Sequence, residues 1–265
     1  MVNKNETTYS DKLIELYTHY RISVDATEMG GQLMPYRWYK FPDQLSGGWL
    51  PYVEMLGEYA LDLANIINRL TDYVHRLRVW HTVVDAMSED DRFAAKHEFL
   101  DTLGTVALGL PYAIKSRFAF AAGHLSHQAN RAKDVKMWKD SFPSCNLYLN
   151  DIEPFCKKWK AFRSFKLRVE PIAGKSFQKA SHNFRHAYNH GFSSHFLIGI
   201  SGVVTRISDK DGKVVYNIGE TEPMSMSMVA DVLEVERNHC YRAFQKFQAL
   251  VFEQIAAIEA ADATE

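Results

Sequence analysis

The sequence predicts an all-α protein, a multi-helix bundle with one β-hairpin inserted near residues 203–218. Apolar residues recur at helical spacing along two stretches of more than 30 residues, 51–85 and 227–260. A period of two replaces the helical one at residues 203–218, on both sides of a polar turn that contains Gly212. A bundle of packed helices with a hairpin decoration accounts for both patterns.

Length and composition place the chain among globular proteins. It has 265 residues, of which 46% are hydrophobic and 24% charged, enough to bury a full core. Lysine plus arginine number 31 and aspartate plus glutamate 32, so the formal net charge is -1. No global positive field attracts nucleic acid, and any contact with nucleic acid needs a local basic patch.

The N-terminal 50 residues differ from the remainder. A short amphipathic helix is predicted over residues 9–21, followed by an irregular arm at 22–50 that alternates Gly and Pro with aromatic residues. We expect this arm to pack on the body of the protein, because its aromatic side chains need a place to bury. The predicted organisation is therefore residues 1–50 packed on a single helical-bundle domain, 51–265.

Local signals place the shorter elements. Pro51 suits the first turn of a helix, and Ser88 with Asp91 resembles a capping box that begins another helix. Pro111 predicts the end of that second helix. Further helices are expected over residues 111–132, 152–165 and 174–189, the last ending near Gly191. A turn at Asp209, Lys210, Asp211 and Gly212 joins the hairpin strands; these residues also match the start of a calcium loop, but Glu220 fits its twelfth position only if the strand is unwound.

The remaining composition bears on the compartment and on cofactors. The polar N-terminus has no run of signal-peptide length, and three cysteines without metal spacing favour reduced, buried thiols. The most apolar stretch, residues 103–123, holds Pro111 and two basic residues and is not predicted to span a membrane. No glycine-rich phosphate loop is present. We predict a cytoplasmic protein without membrane contact and without a cofactor or metal.

Histidine is concentrated in one segment. Four of the eleven histidines fall within 14 residues, namely His182, His186, His190 and His195. Arg185 precedes His190 by five positions at a predicted helix end. The same spacing of Arg, four to six residues and His occurs in four other pairs: Arg69 with His75, Arg76 with His81, Arg92 with His97, and Arg117 with His124. Only Arg185 combines a polar follower, His186, with a nearby helix terminus.

The segment around Arg185 and His190 resembles the motif of the HEPN superfamily, helical-bundle proteins with Arg, four to six residues and His. His186 fits the polar position that often follows the Arg. This resemblance implies a metal-independent ribonuclease of toxin, abortive-infection or defence type. It also implies an RNA substrate, a homodimer that completes the site, and an antitoxin partner.

Those residue types suit RNA cleavage. An unperturbed imidazole titrates near pH 6.5, so His190 can exchange a proton with a ribose 2′-hydroxyl or a 5′-oxygen leaving group. The guanidinium of Arg185 can hold the scissile phosphate and stabilise developing charge. We assign His186 to the catalytic set and Asn189, Lys175 and Lys179 to substrate binding.

A basic run leads into the motif. Glu170 is the only acidic residue from position 157 to position 195. The run holds eight cations: Lys157, Lys158, Lys160, Arg163, Lys166, Arg168, Lys175 and Lys179. Four aromatic residues are interleaved with them: Trp159, Phe162, Phe165 and Phe177. This pattern is typical both of a single-strand RNA surface and of a solvated helix face whose aromatic residues point to the core.

Other interpretations of the same residues stay open. Histidines at 182, 186 and 190 would share one face of a continuous helix and could chelate a metal. Glu236 with His239 matches half of a di-iron bundle motif. A non-catalytic protein that binds a partner or ligand through the aromatic arm at 22–50 is the alternative function.

Overall fold

The computed structural model confirms an all-α bundle with an inserted β-hairpin. It describes residues 8–42, 44–143, 147–208, 211–219 and 221–263. The helices are α1 Tyr9–Ala26, α2 Leu50–Asp85, α3 Glu89–Ala95, α4 Asp101–Lys133, α5 Leu149–Cys156, α6 Phe162–Val169, α7 Lys175–Ala180, α8 Phe184–His190 and α9 Met226–Asp262. A 3₁₀ turn at Gly47–Trp49 precedes α2, and a π-helical turn at Lys96–Leu100 joins α3 to α4.

The hairpin consists of strands β1 Val204–Ser208 and β2 Val214–Ile218, which pair antiparallel. Its register pairs Val204 with Ile218 and Ser208 with Val214. Gly212 has φ +77°, the left-handed conformation that a tight turn requires and that glycine adopts without strain. Asp209, Lys210 and Glu220, named in the turn and calcium-loop interpretations, lie outside the described residues.

The chain divides into two compact units, whose boundaries fall in the arm after residue 31 and within α2, α4, α7 and α9. The first comprises residues 1–31, 72–109 and 177–234, and the second comprises 32–71, 110–176 and 235–265, within the described parts of each. The expected organisation into residues 1–50 and 51–265 stays a prediction.

Aromatic stacking holds the first unit together. The rings of Tyr20 in α1 and Trp80 in α2 lie 4.1 Å apart and within 8° of parallel, and Trp80 also stacks on Phe99 of the π-helical turn. Lys12 and Asp91 form an ion pair at 2.6 Å between α1 and α3. The Oγ of Ser88 accepts the Asp91 backbone N–H at 3.3 Å, as the capping signal predicts.

Several aromatic residues of the arm pack within the second unit. Trp38 packs edge-on against Phe244, Phe247 and Phe252 of α9, with ring centroids 5.6–6.1 Å apart. Trp49, at the end of the arm, is buried beneath the guanidinium of Arg131. These aromatic side chains are used in internal packing, which leaves less of the arm for a ligand.

The prediction that a helix ends at Pro111 is wrong, because α4 continues through it. A proline inside a helix costs about 3 kcal/mol. Burial of an aliphatic or aromatic side chain contributes roughly 1.5–3 kcal/mol. Leu108, Leu110, Ile114 and Phe118 are all buried along α4, so burial outweighs the lost hydrogen bond.

Other predicted boundaries also shift. Helix α1 runs five residues past position 21, which shortens the irregular arm. The helix predicted over 152–165 is two helices, α5 and α6, and the helix predicted over 174–189 is α7 and α8. Among the described residues, no helix is both long and apolar enough to cross a bilayer.

Candidate functional site

Helix α8 carries the Arg–His motif, and a backbone reversal separates it from α7. His182 and Asn183 have φ values of 50° and 51°, in the left-handed region. Asn and His enter this region more readily than most residues, because their side chains hydrogen-bond locally. The helix therefore stops at Ala180 and restarts at Phe184 in a new direction.

One side of α8 anchors the helix. Phe184 is buried, and its ring lies 5.7 Å from that of Tyr188 at an interplanar angle of 20°. The Phe196 ring contacts Phe184 at 5.2 Å. Residues four apart lie on the same face of a helix, so Phe184 and Tyr188 define the packed side of α8.

The other side of α8 faces solvent and carries the four predicted polar residues. Arg185, His186, Asn189 and His190 are all exposed. Successive residues rotate by about 100°, which spreads these side chains over a little more than a third of the helix circumference. The His186 and His190 rings are 5.1 Å apart. The structure thus brings these four residues to one solvent-facing surface, here called the α8 polar face.

The two outer histidines of the segment lie elsewhere. His182 sits in the reversal before α8, and its Nδ1 lies 3.4 Å from the Oγ of Ser194. His195 lies in an extended segment whose backbone carbonyl accepts the Met224 N–H at 2.8 Å. A continuous helix bearing His182, His186 and His190 on one face does not exist, so the geometric basis of the three-histidine metal site is wrong. Among the described residues, no group of three or more potential ligands converges as a metal would require.

The other Arg–His pairs of similar spacing have structural surroundings. Arg92 donates to the carbonyl oxygens of Val84 and Asp85, capping the C-terminus of α2. Arg76 and His81 each contact an aspartate one turn away on α2. Of the remaining two histidines, His75 is buried and His124 is enclosed by aromatic rings. These contacts give the four other pairs a structural role.

The predicted lysine contacts belong to α7. Lys175 and Lys179 are exposed, four residues apart on one face of that helix. Lys175 falls in the second compact unit and Lys179 in the first. The remaining cations of the basic run are mostly exposed, whereas its four aromatic residues are buried, at 2%, 4%, 0% and 3% for Trp159, Phe162, Phe165 and Phe177. The aromatic residues form core contacts, so they do not provide a surface for base stacking.

The buried thiols and carboxylate have structural roles. Burial raises the pKa of Cys156 to about 12 and holds the pKa of Cys240 well above its usual value, so neither is a ready nucleophile. Cys145 lies outside the described residues. Burial also raises the pKa of Glu236 to about 7, although its carboxylate accepts the Ala173 N–H at 2.7 Å. That hydrogen bond stabilises the positive φ of 50° at Ala173.

Sequence analysis missed a cleft in the first unit, of about 380 Å³. It lies between the first turns of α4, the packed side of α8 and the segment 193–196. Its lining residues are Asp101, Thr102, Thr105, Val106, Phe184, Tyr188, Ser193, Ser194, His195 and Phe196. Arg185 and His190 are not among them. The segments that form the cleft are about 90 residues apart in sequence, so no local pattern could have indicated it.

Comparisons with models of protein families, with curated proteins and with solved structures found no match. The fold itself defines the class, a helical-bundle protein with an inserted β-hairpin. The function proposed below rests on the residues and on their geometry.

Proposed function

We propose that the protein is a metal-independent endoribonuclease and that the α8 polar face is its active site. One observation carries this proposal: a short helix, anchored through Phe184 on one side, presents an arginine and two neighbouring imidazoles to solvent on the other. Arginine to bind a phosphate and two imidazoles to move protons are sufficient groups for cleavage by a ribose 2′-hydroxyl.

The proposed reaction assigns one task to each group. Neutral His190 takes the proton of the 2′-hydroxyl, and the resulting oxygen attacks the adjacent phosphorus. The bond from phosphorus to the 5′-oxygen breaks, and that oxygen takes a proton from the imidazolium of His186. The products are a 2′,3′-cyclic phosphate and a 5′-hydroxyl. Arg185 holds the phosphate oxygens and stabilises their additional charge, and Asn189 orients the phosphate.

The separation of the two imidazoles suits this division of labour. Their centroids are 5.1 Å apart, too close to admit a phosphate between the rings, so the phosphate would lie against the exposed edges of both rings, where a nitrogen of each can reach a different oxygen. The exposed ammonium group of Lys179, which belongs to the same compact unit as α8, would contact the backbone of the same RNA strand.

We further propose that two copies of the chain meet near α8. Phe192, two residues after the helix, is 89% exposed. An apolar ring exposed so fully beside a polar site suits a protein interface, where a second copy would cover it and shield the reaction from water. Light scattering should give a particle of twice the 30.4 kDa chain mass, and Phe192→Ser should yield the monomer. A monomeric wild type would contradict the dimer.

The proposed biological setting follows from the activity. A ribonuclease of this kind in the cytoplasm would act as a toxin or in defence, and would need an antitoxin that covers the α8 polar face. Overexpression of the wild type should arrest growth, whereas the inactive variants described next should be harmless.

The experiment that tests the activity compares matched variants. Purified wild type is incubated with total tRNA and with a labelled mixed-sequence single-stranded RNA, in EDTA. Arg185→Ala and His190→Ala should each lower the cleavage rate by at least about 100-fold, the low end for loss of a general acid or base. Their thermal unfolding should be unchanged.

The matched control is the double variant Arg76→Ala/His81→Ala. It removes the same residue types at the same spacing, also from the first unit. The two ion pairs that it removes, Arg76 with Asp72 and His81 with Asp85, lie on the surface and each contribute about 0–1 kcal/mol to the free energy of unfolding. The variant should therefore fold and cleave RNA like the wild type. No cleavage by the wild type, or equal losses in control and motif variants, would overturn the proposal.

A further inference from the structure

The cleft beside α8 has a rigid floor. Phe196 lies against Gly104 of α4 so closely that a Cβ on that glycine would stand 2.7 Å from the ring. The backbone on both sides of Phe196 is paired with Met224, through His195 O accepting at 2.8 Å and Leu197 N–H donating at 3.0 Å. Contacts of this kind leave little freedom, so the cleft is preformed.

One wall of the cleft is aromatic. Phe184 and Phe196 are buried, and Tyr188 stacks on Phe184 while remaining 58% exposed. A partly exposed ring, held in place by a buried one, is the arrangement that binds planar ligands by stacking.

The other lining residues are mostly polar. Thr102 and Thr105 of α4 and Ser193 after α8 bring hydroxyl groups, and Asp101 brings a carboxylate. Its Oδ2 atom lies 3.1 Å from the buried ammonium of Lys96 and 3.7 Å from Nδ1 of His97. The contacts with Lys96 and His97 both involve Oδ2 of Asp101 and hold its carboxylate in place. The Oδ1 atom of Asp101 takes part in neither contact. Asp101 directly follows the π-helical turn, a distortion that occurs frequently at functional sites.

We infer that this cleft binds a single unstacked RNA base that carries an exocyclic amino group, namely adenine, cytosine or guanine rather than uracil. Stacking on Tyr188 requires a planar ring, and the carboxylate of Asp101 accepts from an amino group but repels the carbonyl oxygen that uracil presents there. The volume of about 380 Å³ lies in the range of small-ligand sites.

The inference rests on the proposed function for its biological meaning, because Phe184 and Tyr188 belong to the same helix as Arg185 and His190. An RNA strand whose base enters the cleft would pass its backbone over α8. The cleft then determines which phosphodiester is cut, and cleavage should occur beside A, C or G rather than beside U.

Free nucleosides test the cleft without any phosphate contact. Adenosine, cytidine and uridine are titrated into the wild-type protein and followed by ligand-observed NMR. Adenosine and cytidine should bind at least about fivefold more tightly than uridine, the low end for one well-made base contact. Tyr188→Leu should weaken adenosine binding by about fivefold or more, because stacking on an aromatic ring is lost. The matched control, Tyr216→Leu, changes an equally exposed tyrosine of β2 and should bind like the wild type.

The Asp101→Asn variant tests the base preference of the cleft independently of stacking. The variant offers an amide N–H to a carbonyl oxygen, so uridine should bind more tightly relative to cytidine than in the wild type. If loss of the Lys96 ion pair unfolds this variant, Tyr188→Leu alone still decides. Equal affinity for the three nucleosides, or no weakening in Tyr188→Leu, would overturn the inference.

The experiments can contradict the inference about the cleft and the proposed ribonuclease activity separately. Nucleoside binding with no RNA cleavage supports the cleft and contradicts the α8 active site. Cleavage without nucleoside binding, or cleavage beside U as readily as beside A, C and G, supports the active site and contradicts the cleft. Arg185→Ala should abolish cleavage and leave adenosine affinity unchanged, because Arg185 does not line the cleft.

Discussion

Two pairs of histidines, each about one turn apart on a helix, have opposite surroundings. His186 and His190 lie exposed on α8, with their rings 5.1 Å apart. His127 is buried on α4, and its Nε2 bonds the carboxylate of Asp140 at 2.9 Å, while His124 packs against Phe120 and Phe142. The first pair is open to solvent, whereas the second pair is enclosed and links helix α4 to the loop that holds Asp140.

The sequence around the two pairs gives little sign of this difference. In each pair, one histidine follows an arginine at a spacing that fits the HEPN motif. Six residues separate Arg117 from His124, and four separate Arg185 from His190. In the structure, Arg117 forms an ion pair with Asp62 at 2.5 Å. Burial and partners, rather than spacing, decide whether a histidine is available for chemistry.

The largest expected effect separates activity from stability. His190→Ala should lower RNA cleavage by roughly 10²–10⁴-fold and leave the free energy of unfolding unchanged. His127→Ala should do the reverse: it breaks the bond to Asp140 and should lower the free energy of unfolding by about 1–3 kcal/mol without changing cleavage by the folded protein. Initial cleavage rates and urea unfolding measure the two quantities. A similar loss of cleavage in both variants would contradict a catalytic role for His190 and a purely structural role for His127.

The aromatic enclosure of the α4 pair should matter next. Phe142 contacts His124, His127 and Phe155, with ring centroids 4.5–5.1 Å apart. Phe142→Ala should lower the free energy of unfolding by about 2–4 kcal/mol, measured in urea. The exposed Phe93 of α3 offers the control, since Phe93→Ala should cost less than about 1 kcal/mol. Equal losses would show that the enclosure does not contribute to stability.

Burial also changes the protonation of an acidic side chain, Glu236. Glu236 has a pKa of about 7 in the fold against 4.5 as an ordinary side chain. The unfolded chain loses this proton first as pH rises, so stability is highest below pH 4.5 and falls by about 3 kcal/mol between pH 4.5 and 7.

Glu236→Gln keeps an acceptor for the Ala173 N–H and cannot ionise. Urea unfolding at several pH values should therefore show this variant more stable than the wild type at pH 8 and no more stable at pH 4.5. Parallel stability curves for the two proteins would contradict the assignment.

The smallest effect concerns His124. Desolvation by the surrounding rings lowers its pKa below the ordinary 6.5, and the nearby His127 acts in the same direction. The unfolded chain therefore takes up this proton first as pH falls, and stability declines below pH 6.5. An NMR titration should show the lowered pKa, and Phe142→Ala should raise it. An unchanged pKa in that variant would show that Phe142 does not desolvate His124.

Long-period patterns predicted most of the fold. Helices α2 and α9 fall within two residues of the predicted ranges, because a sustained apolar stripe over 30 residues outweighs local propensity. The hairpin was equally clear from alternation. Pro111 wrongly predicts a helix end. The free energy that one proline costs is smaller than the free energy gained by burying the apolar side chains of α4 on both sides of it.

The assignment of Arg185, His186, Asn189 and His190 to a site stays a prediction. The structure places these residues on one exposed face of α8, and the sequence does not predict the reversal at His182 and Asn183, although these two residue types enter the left-handed region more readily than most. The buried positions of Trp159 and Phe177 were left open by the sequence, because alternating basic and aromatic residues occur in both core helices and RNA surfaces.

The chemistry of the RNA ends tests the central claim most directly. Mass spectrometry of RNA incubated with the purified protein in EDTA should show 2′,3′-cyclic phosphate and 5′-hydroxyl ends with wild type and with Arg76→Ala/His81→Ala, and intact RNA with Arg185→Ala and with His190→Ala. Intact RNA with the wild type, or cleavage to the same ends by His190→Ala at the wild-type rate, would contradict an active site on α8.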